Sequence, residues 1–260
     1  MLKLLKGIIC FSAVTFLSTP SGAGAAPPKP TVVLVHGAFS ESASWNGVVD
    51  ELAGSGYRVV AAANPLRGVA SDATSVAALL KSIDGPVVLV GHSYGGAVIS
   101  AAANGATNVK ALVFVSAFAP DTGESCLGLT GKFPGSTLPQ TLAPPVELAD
   151  GGEDLFIQQD RFPQQFAADV PSAQARTMAA TQRAIKASAL AEPAGAPAWK
   201  SLPSWWIYGA VDLNVPPAAL AWMAERAHAR KTVVVPGASH VVMVSHPHEV
   251  AALIEQAAAD

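Results

Sequence analysis

Six short apolar runs, separated by stretches with helical spacing, set the rhythm of this 260-residue chain. Thr31-Val32-Val33-Leu34-Val35 is continuously apolar, as expected of a strand covered on both faces of a parallel sheet. Tyr57–Ala61, Val87–Val90, Ala111–Val115, Ser204–Tyr208 and Thr232–Val235 repeat the pattern. Between them, Trp45, Val48, Val49 and Leu52 recur at helical spacing, with Gly54 and Gly56 ending the helix. Ser71 is expected to cap a second helix that turns Val76, Leu79, Leu80 and Ile83 inward and stops at Gly85-Pro86. Ala97–Ala103 reads as a buried helix, Pro216-Pro217 opens another in a position where proline is tolerated, and Val250–Ala258 closes the chain. Strands alternating with helices imply parallel pairing and right-handed crossovers.

The alternation breaks at Ala119-Pro120. From about residue 121 to 200 the chain is rich in Pro, Gly, Gln and Ala, and helical spacing returns only around Leu155–Gln165 and Ser172–Ala189. This segment is expected to be an insertion of helices and loops over the sheet edge, a cap. A different break lies at the start. Lys3 and Lys6, an apolar stretch from Gly7 to Leu17 and the small residues around Ala23-Gly24-Ala25 have the three-part pattern of a secretory signal peptide over residues 1–25. That leaves residues 26–260 as one domain. The predicted location is outside the cytoplasm, periplasmic or secreted. The apolar stretch is short for a membrane span, and no later segment qualifies.

Composition narrows the partners. Half of the chain is hydrophobic and the net charge is −3. No basic stripe appears, which argues against nucleic acid as a partner. Removing residues 1–25 leaves Cys126 alone, so no internal disulfide is expected, and its simplest role is a small buried hydrophobe. No cysteine or histidine spacing suggests a metal.

The chemistry concentrates behind the third apolar run, at Gly91-His92-Ser93-Tyr94-Gly95-Gly96. A strand feeding a serine between glycines, with a helix behind, is the nucleophile-elbow pattern G-x-S-x-G. Side chains at Gly91 and Gly95 would clash in so tight a turn. The helix N-terminus offers unpaired N–H groups to an oxyanion. A serine hydroxyl needs a base beside it. His240 follows the last strand in Pro236-Gly237-Ala238-Ser239-His240, and Asp212 follows the strand before it. Ser93, His240 and Asp212 are therefore the candidate nucleophile, base and orienting acid. Asp121, after an earlier strand end, is the rival acid. His246 and His248 read as surface or capping residues, His228 as solvated on a helix, and His36 and His92 as packing or loop-bonding residues. Asp72 and Asp84 read as a helix-start and a turn residue. For the oxyanion, the backbone N–H of Tyr94 and that of Ala38, in His36-Gly37-Ala38-Phe39, are the expected donors. Gly37 is expected to let that backbone approach the substrate.

These motifs, with Trp45, Pro216, Met243 and Ser245-His246-Pro247, resemble the α/β-hydrolase superfamily from about Thr31 to Ala258. Within it the chain is most similar to small bacterial hydrolases related to plant methyl esterases and hydroxynitrile lyases. The resemblance implies an α/β-hydrolase fold, with a mostly parallel central sheet and a helical cap after the strand that follows the nucleophile helix. It also implies cofactor-free hydrolysis of carboxylic esters through an acyl-enzyme. Two positions depart from the lyases, which carry a lysine after the catalytic histidine and a threonine in the oxyanion loop. Here those positions are Val241 and Gly37, so no positive charge awaits departing cyanide. Ala210-Val211 also lack the second acid common in relatives.

In the cap, Leu127, Phe133, Leu138, Phe156, Ile157, Phe162, Phe166 and Trp199 are mostly expected in the core, with a few lining an apolar pocket over Ser93. No arginine pair points to a phosphate or polyacid. The expected partner is a small to medium uncharged ester. Haloperoxidase or perhydrolase chemistry on the same triad, and a non-catalytic binding role on the same scaffold, are the alternatives.

Overall fold

The computed structural model describes residues 28–260. The signal peptide expected over residues 1–25 lies outside the described residues. β1 (Thr31–Val35) is buried along its whole length, as its unbroken apolar run requires. α1 (Asn46–Gly54) follows, with Trp45 in the 3-10 turn before it, and buries Val48 and Leu52. β2 (Val59–Ala62) and α2 (Val69–Lys81) come next. Ser71 does not cap α2. The helix starts behind Gly68, and the Ser71 hydroxyl, already in the first turn, donates back to the Gly68 carbonyl at 3.0 Å.

β3 (Val87–His92) runs into α3 (Tyr94–Ala102), and β4 (Val109–Val115) completes the first half. Beyond the insertion the chain resumes with β8 (Ser204–Gly209), α8 (Pro217–Arg226), β9 (Lys231–Val235), a short α9 (Val242–Ser245) and α10 (Pro247–Ala259). The six core strands are ordered β2-β1-β3-β4-β8-β9, and every neighbouring pair is parallel. This is the mostly parallel, helix-flanked sheet of the α/β-hydrolase fold. The order changes direction at β1 and β3, so the loops at their carboxyl ends open a crevice above the sheet.

Between β4 and β8 the structure departs from the sequence reading. Helices α4 (Cys126–Lys132), α5 (Phe162–Phe166), α6 (Ser172–Thr181) and α7 (Ala187–Ala191) are short. A three-stranded antiparallel sheet joins them: β5 (Val146–Glu147), β6 (Glu153–Leu155) and β7 (Ile185–Lys186). The helix expected over Leu155–Gln165 exists only from Phe162, because Leu155 pairs with Ile185 across β6 and β7. The helix expected over Ser172–Ala189 is likewise split, and the Gln182 side chain beyond α6 bonds both the N–H and the carbonyl of Ile157. His228, expected on a helix, lies past the end of α8 with φ 49°.

Candidate active site

The turn between β3 and α3 carries Ser93 at φ 53° and ψ −124°. A non-glycine residue holds that conformation only where its surroundings impose it. They do so here by contact. A side chain on Gly91 would put its Cβ 2.6 Å from the Gly95 carbonyl oxygen, and one on Gly95 would sit 2.5 Å from that of Val35. The carbonyl of Ser93 accepts from Gly96 N at 2.9 Å and Phe118 N at 3.0 Å, fixing the turn from both sides.

His240 and Asp212 arrive on the loops after β9 and β8. The His240 Nδ1–H donates to Asp212 Oδ2 at 2.7 Å, with both side chains buried. The other carboxylate oxygen accepts from the backbone N–H groups of Asn214 at 2.8 Å and Val215 at 3.0 Å. The acid is thus fully bonded and leaves the imidazole one orientation, with Nε2 free of Asp212. Ser93 and His240 both line one cavity of about 250 Å³. No hydrogen bond joins them among the described residues, a looseness common before substrate draws a site together.

Asp121, the rival acid, lies elsewhere. Its carboxylate pairs with Lys200 at 2.6 Å, and that ammonium holds its pKa below the usual carboxylate range. His246 occupies the N-cap position of α10 without a side-chain capping bond, and exposed His248 faces Glu51 at 3.3 Å.

Ala38 and Tyr94 line the same cavity as Ser93. Among the described residues neither backbone N–H is spent on a backbone acceptor. The loop that carries Ala38 is positioned by two contacts. A Cβ on Gly37 would meet Ser93 Cβ and the His92 carbonyl, each at 2.7 Å, so the small residue lets the loop press on the elbow rather than on a substrate. Behind it, the His36 Nδ1–H donates to the Gly37 carbonyl at 2.9 Å, while Nε2 accepts from Asn64 N at 3.0 Å. Burial lowers the His36 pKa to about 4, which keeps that ring neutral. His92 is fully buried, and desolvation together with neighbouring His240 holds its pKa well below the usual value. Its Nε2–H donates to the His240 carbonyl at 3.3 Å, tying the Ser93 turn to the His240 loop.

The remaining cavity wall is mostly apolar, with Thr130, Ser136 and Asn214 as its neutral polar members. Of the eight apolar cap residues singled out in the sequence, Leu127, Leu138 and Phe166 line it. Ile157 and Phe162 are buried in the core, and Trp199 donates from its indole to the Pro120 carbonyl. Cys126 also reaches the cavity, and burial pushes its thiol pKa up to about 12, so it acts as an apolar wall.

A family model described as "Alpha/beta hydrolase family" matches residues 32–253. The chain belongs to the alpha/beta hydrolase family. It is similar to the alpha/beta hydrolase nvfD of Aspergillus novofumigatus, with 26% identity covering 89% of this chain and 98% of that one. It is also similar to a carbendazim hydrolyzing esterase of Nocardioides, with 33% identity over 44% of this chain and 49% of that one. Among solved structures, polyneuridine aldehyde esterase superposes with a TM-score of 0.76 at 20% identity, covering 88% of this chain and 99% of the other.

Family motifs did not reveal everything that holds this alpha/beta hydrolase site together. Gln165, buried at the end of α5, donates to the Leu213 carbonyl at 2.9 Å and to Asn214 Oδ1 at 3.2 Å. Asn214 Nδ2 returns a bond to the Gln165 carbonyl at 3.0 Å. The cap therefore clasps the loop that carries Asp212. Phe39, Phe118, Leu142, Leu155, Leu190 and Val215 also line the cavity. Apart from Phe39, which belongs to the motif that carries Ala38, no motif marked them, because each reaches the cavity from a loop or a very short element.

Proposed function

We propose that this chain is a carboxylic ester hydrolase acting on uncharged, largely apolar esters through Ser93, His240 and Asp212. The observation that carries the reading is a buried, doubly braced Asp212–His240 pair opening with Ser93 onto one apolar cavity. In the first half-reaction His240 Nε2 takes the Ser93 proton as Oγ bonds to the ester carbonyl carbon. The Tyr94 and Ala38 N–H groups receive the charge that develops on the carbonyl oxygen. Collapse expels the alcohol with the proton from His240 and leaves an acyl-serine. Water then attacks the acyl carbon, giving its proton to His240, and the acid departs as Ser93 is regenerated.

Four supports bear on the substrate and the reaction. The cavity wall contains no Lys, Arg, Asp or Glu. Its size suits a compact acyl or aryl group. Val241, directly after His240, is fully buried and apolar, so this position offers no cation to departing cyanide and hydrolysis is favoured over lyase chemistry. The esterase names of the relatives point the same way.

The test is fluorophosphonate labelling read by intact mass, with steady-state hydrolysis of short-chain p-nitrophenyl esters alongside. A single adduct that disappears in Ser93→Ala is expected, together with a loss of turnover of at least about a thousandfold. Asp212→Asn should cost about 10³- to 10⁴-fold in kcat, because the imidazole loses its tautomer, whereas Asp121→Asn should leave kcat within twofold. A folded protein that takes no label, or an Asp121→Asn variant worse than Asp212→Asn, would overturn the assignment.

A further inference from the structure

Tyr94 has two functions to reconcile. Its backbone N–H is the donor next to the nucleophile, and its side chain is completely buried. The phenol donates to Asp72 Oδ2 at 2.9 Å. Asp72 lies in the first turn of α2 and is itself completely buried. An isolated carboxylate in such a place is costly, so it must be bonded. Both of its oxygens accept from the Arg67 backbone N–H, at 3.1 and 3.2 Å, and the Ser71 hydroxyl lies 3.4 Å from Oδ1. Burial and the charge of Asp72 drive the phenol pKa far above its ordinary value, so Tyr94 remains a donor.

The other side of Asp72 leads to the cap. The Arg67 guanidinium bonds Asp154 of β6 at 2.7 Å and the Ala184 carbonyl at 3.0 Å. The Leu66 carbonyl accepts from Lys186 N of β7 at 3.0 Å. At the start of α2, Glu192, just after α7, accepts from Val69 N at 2.7 Å and Ala70 N at 3.0 Å. A continuous set of bonds therefore runs from the cap sheet through the Arg67 segment and Asp72 to the ring of Tyr94.

We infer that Asp72 is a positioning residue for the oxyanion hole, holding Tyr94 by its hydroxyl so that the Tyr94 N–H keeps its aim at the reacting oxygen. This inference rests on the ester-hydrolase reading above. The physical requirement is narrow. A hydrogen-bond donor to an oxyanion matters in the transition state and little in the ground state, so a loss of aim lowers kcat with KM nearly unchanged. The backbone at Ser93 is strained, and such a conformation persists only while its surroundings over-determine it. The Tyr94–Asp72 bond is one of those determinants, placed one residue beyond the strain.

The experiment compares wild type with Tyr94→Phe, Asp72→Asn and the double variant on p-nitrophenyl butyrate, with thermal unfolding of each. Tyr94→Phe preserves the ring and its packing, and should lower kcat by about tenfold or more while KM stays within twofold. Asp72→Asn retains an acceptor oxygen and should lose less. The double variant should be no worse than Tyr94→Phe, because the two side chains act through one bond. Inhibition by a trifluoromethyl ketone, which forms an oxyanion on Ser93, should weaken in proportion to kcat, whereas inhibition by the product acid should not. A Tyr94→Phe enzyme with wild-type kcat would overturn the inference, as would additive losses in the double variant. If instead the wild type shows no Ser93-dependent hydrolysis, the ester-hydrolase reading fails, and that failure is distinguishable from this one.

Discussion

The imidazole of His36 shows how a single side chain supports the site without touching substrate. Its two nitrogens are committed to opposite roles, Nδ1–H giving to Gly37 O and Nε2 receiving from Asn64 N. Protonation would place a second donor against the Asn64 N–H, and the buried ring has no acid to offset the charge. Its folded pKa of about 4 lies below the ordinary histidine value of 6.5. A base whose folded pKa is depressed stabilises the fold fully above the unfolded value, and that contribution is lost as pH falls through the folded one. The window therefore runs from pH 6.5 down to about 4. Between pH 7 and pH 4.5 the loss from His36 alone should be on the order of 2–3 kcal/mol. Urea unfolding of wild type and His36→Gln at these two pH values measures it. The variant should lose less stability on acidification, and equal losses would remove His36 from the account. His92 has the same sign of shift and adds to the background acid sensitivity in both proteins.

At the scale of elements, the elbow depends on close contact between three pieces of backbone: the end of β1, the turn and the start of α3. Gly95→Ala tests that contact. The added Cβ would meet Val35 O at 2.5 Å and His36 O at 3.0 Å, both backbone atoms that cannot rotate away. The helix start must move, taking with it the Tyr94 N–H. A displacement of about 1 Å at such a place can cost about a hundredfold in rate. A kcat loss of that order, with secondary structure retained by circular dichroism, is expected, and a fully active Gly95→Ala enzyme would refute the contact. This elbow was legible in the sequence because the glycines, the apolar strand and the helix all announce the same turn. The core strands were legible for a similar reason, since burial on both faces leaves only apolar residues in runs such as Val32–Val35. The cap was not. Its strands are two or three residues long, and the Gln182 side chain satisfies the Ile157 backbone from 25 residues away. No periodicity survives in elements so short. The Tyr94–Asp72 bond was hidden in another way: Asp72 reads as a helix-start acid, and it is one, but sequence spacing does not say that a tyrosine 22 residues away shares it.

Over the whole molecule, charge is arranged so that no Lys, Arg, Asp or Glu lines the cavity, and Asp212 lies buried behind His240. The cap is attached to the core by ion pairs at its rim, among them Arg67–Asp154 and Arg226–Glu124. Inside, the walls are Phe, Leu, Val, Ala and Pro, with a few neutral polar groups. Such a chamber discriminates by desolvation. A neutral acyl chain gains from leaving water, whereas a carboxylate on the same chain would be stripped of water and find no cation. The butyryl and the monosuccinyl ester of one alcohol differ little in size, so size cannot explain a preference between them. The kcat/KM for the charged ester should be lower by about a hundredfold or more, an effect of several kcal/mol in desolvation reduced by whatever water the open mouth admits. Salt separates this cause from long-range repulsion by the negative surface. Repulsion is screened as the Debye length falls to about 3 Å at 1 M, whereas a desolvation cost inside the cavity is not. The preference should therefore survive 1 M NaCl almost unchanged. A charged ester hydrolysed as fast as the neutral one would mean that the substrate is not enclosed by these walls. A preference that vanishes in salt would place the selection at the surface instead of in the chamber.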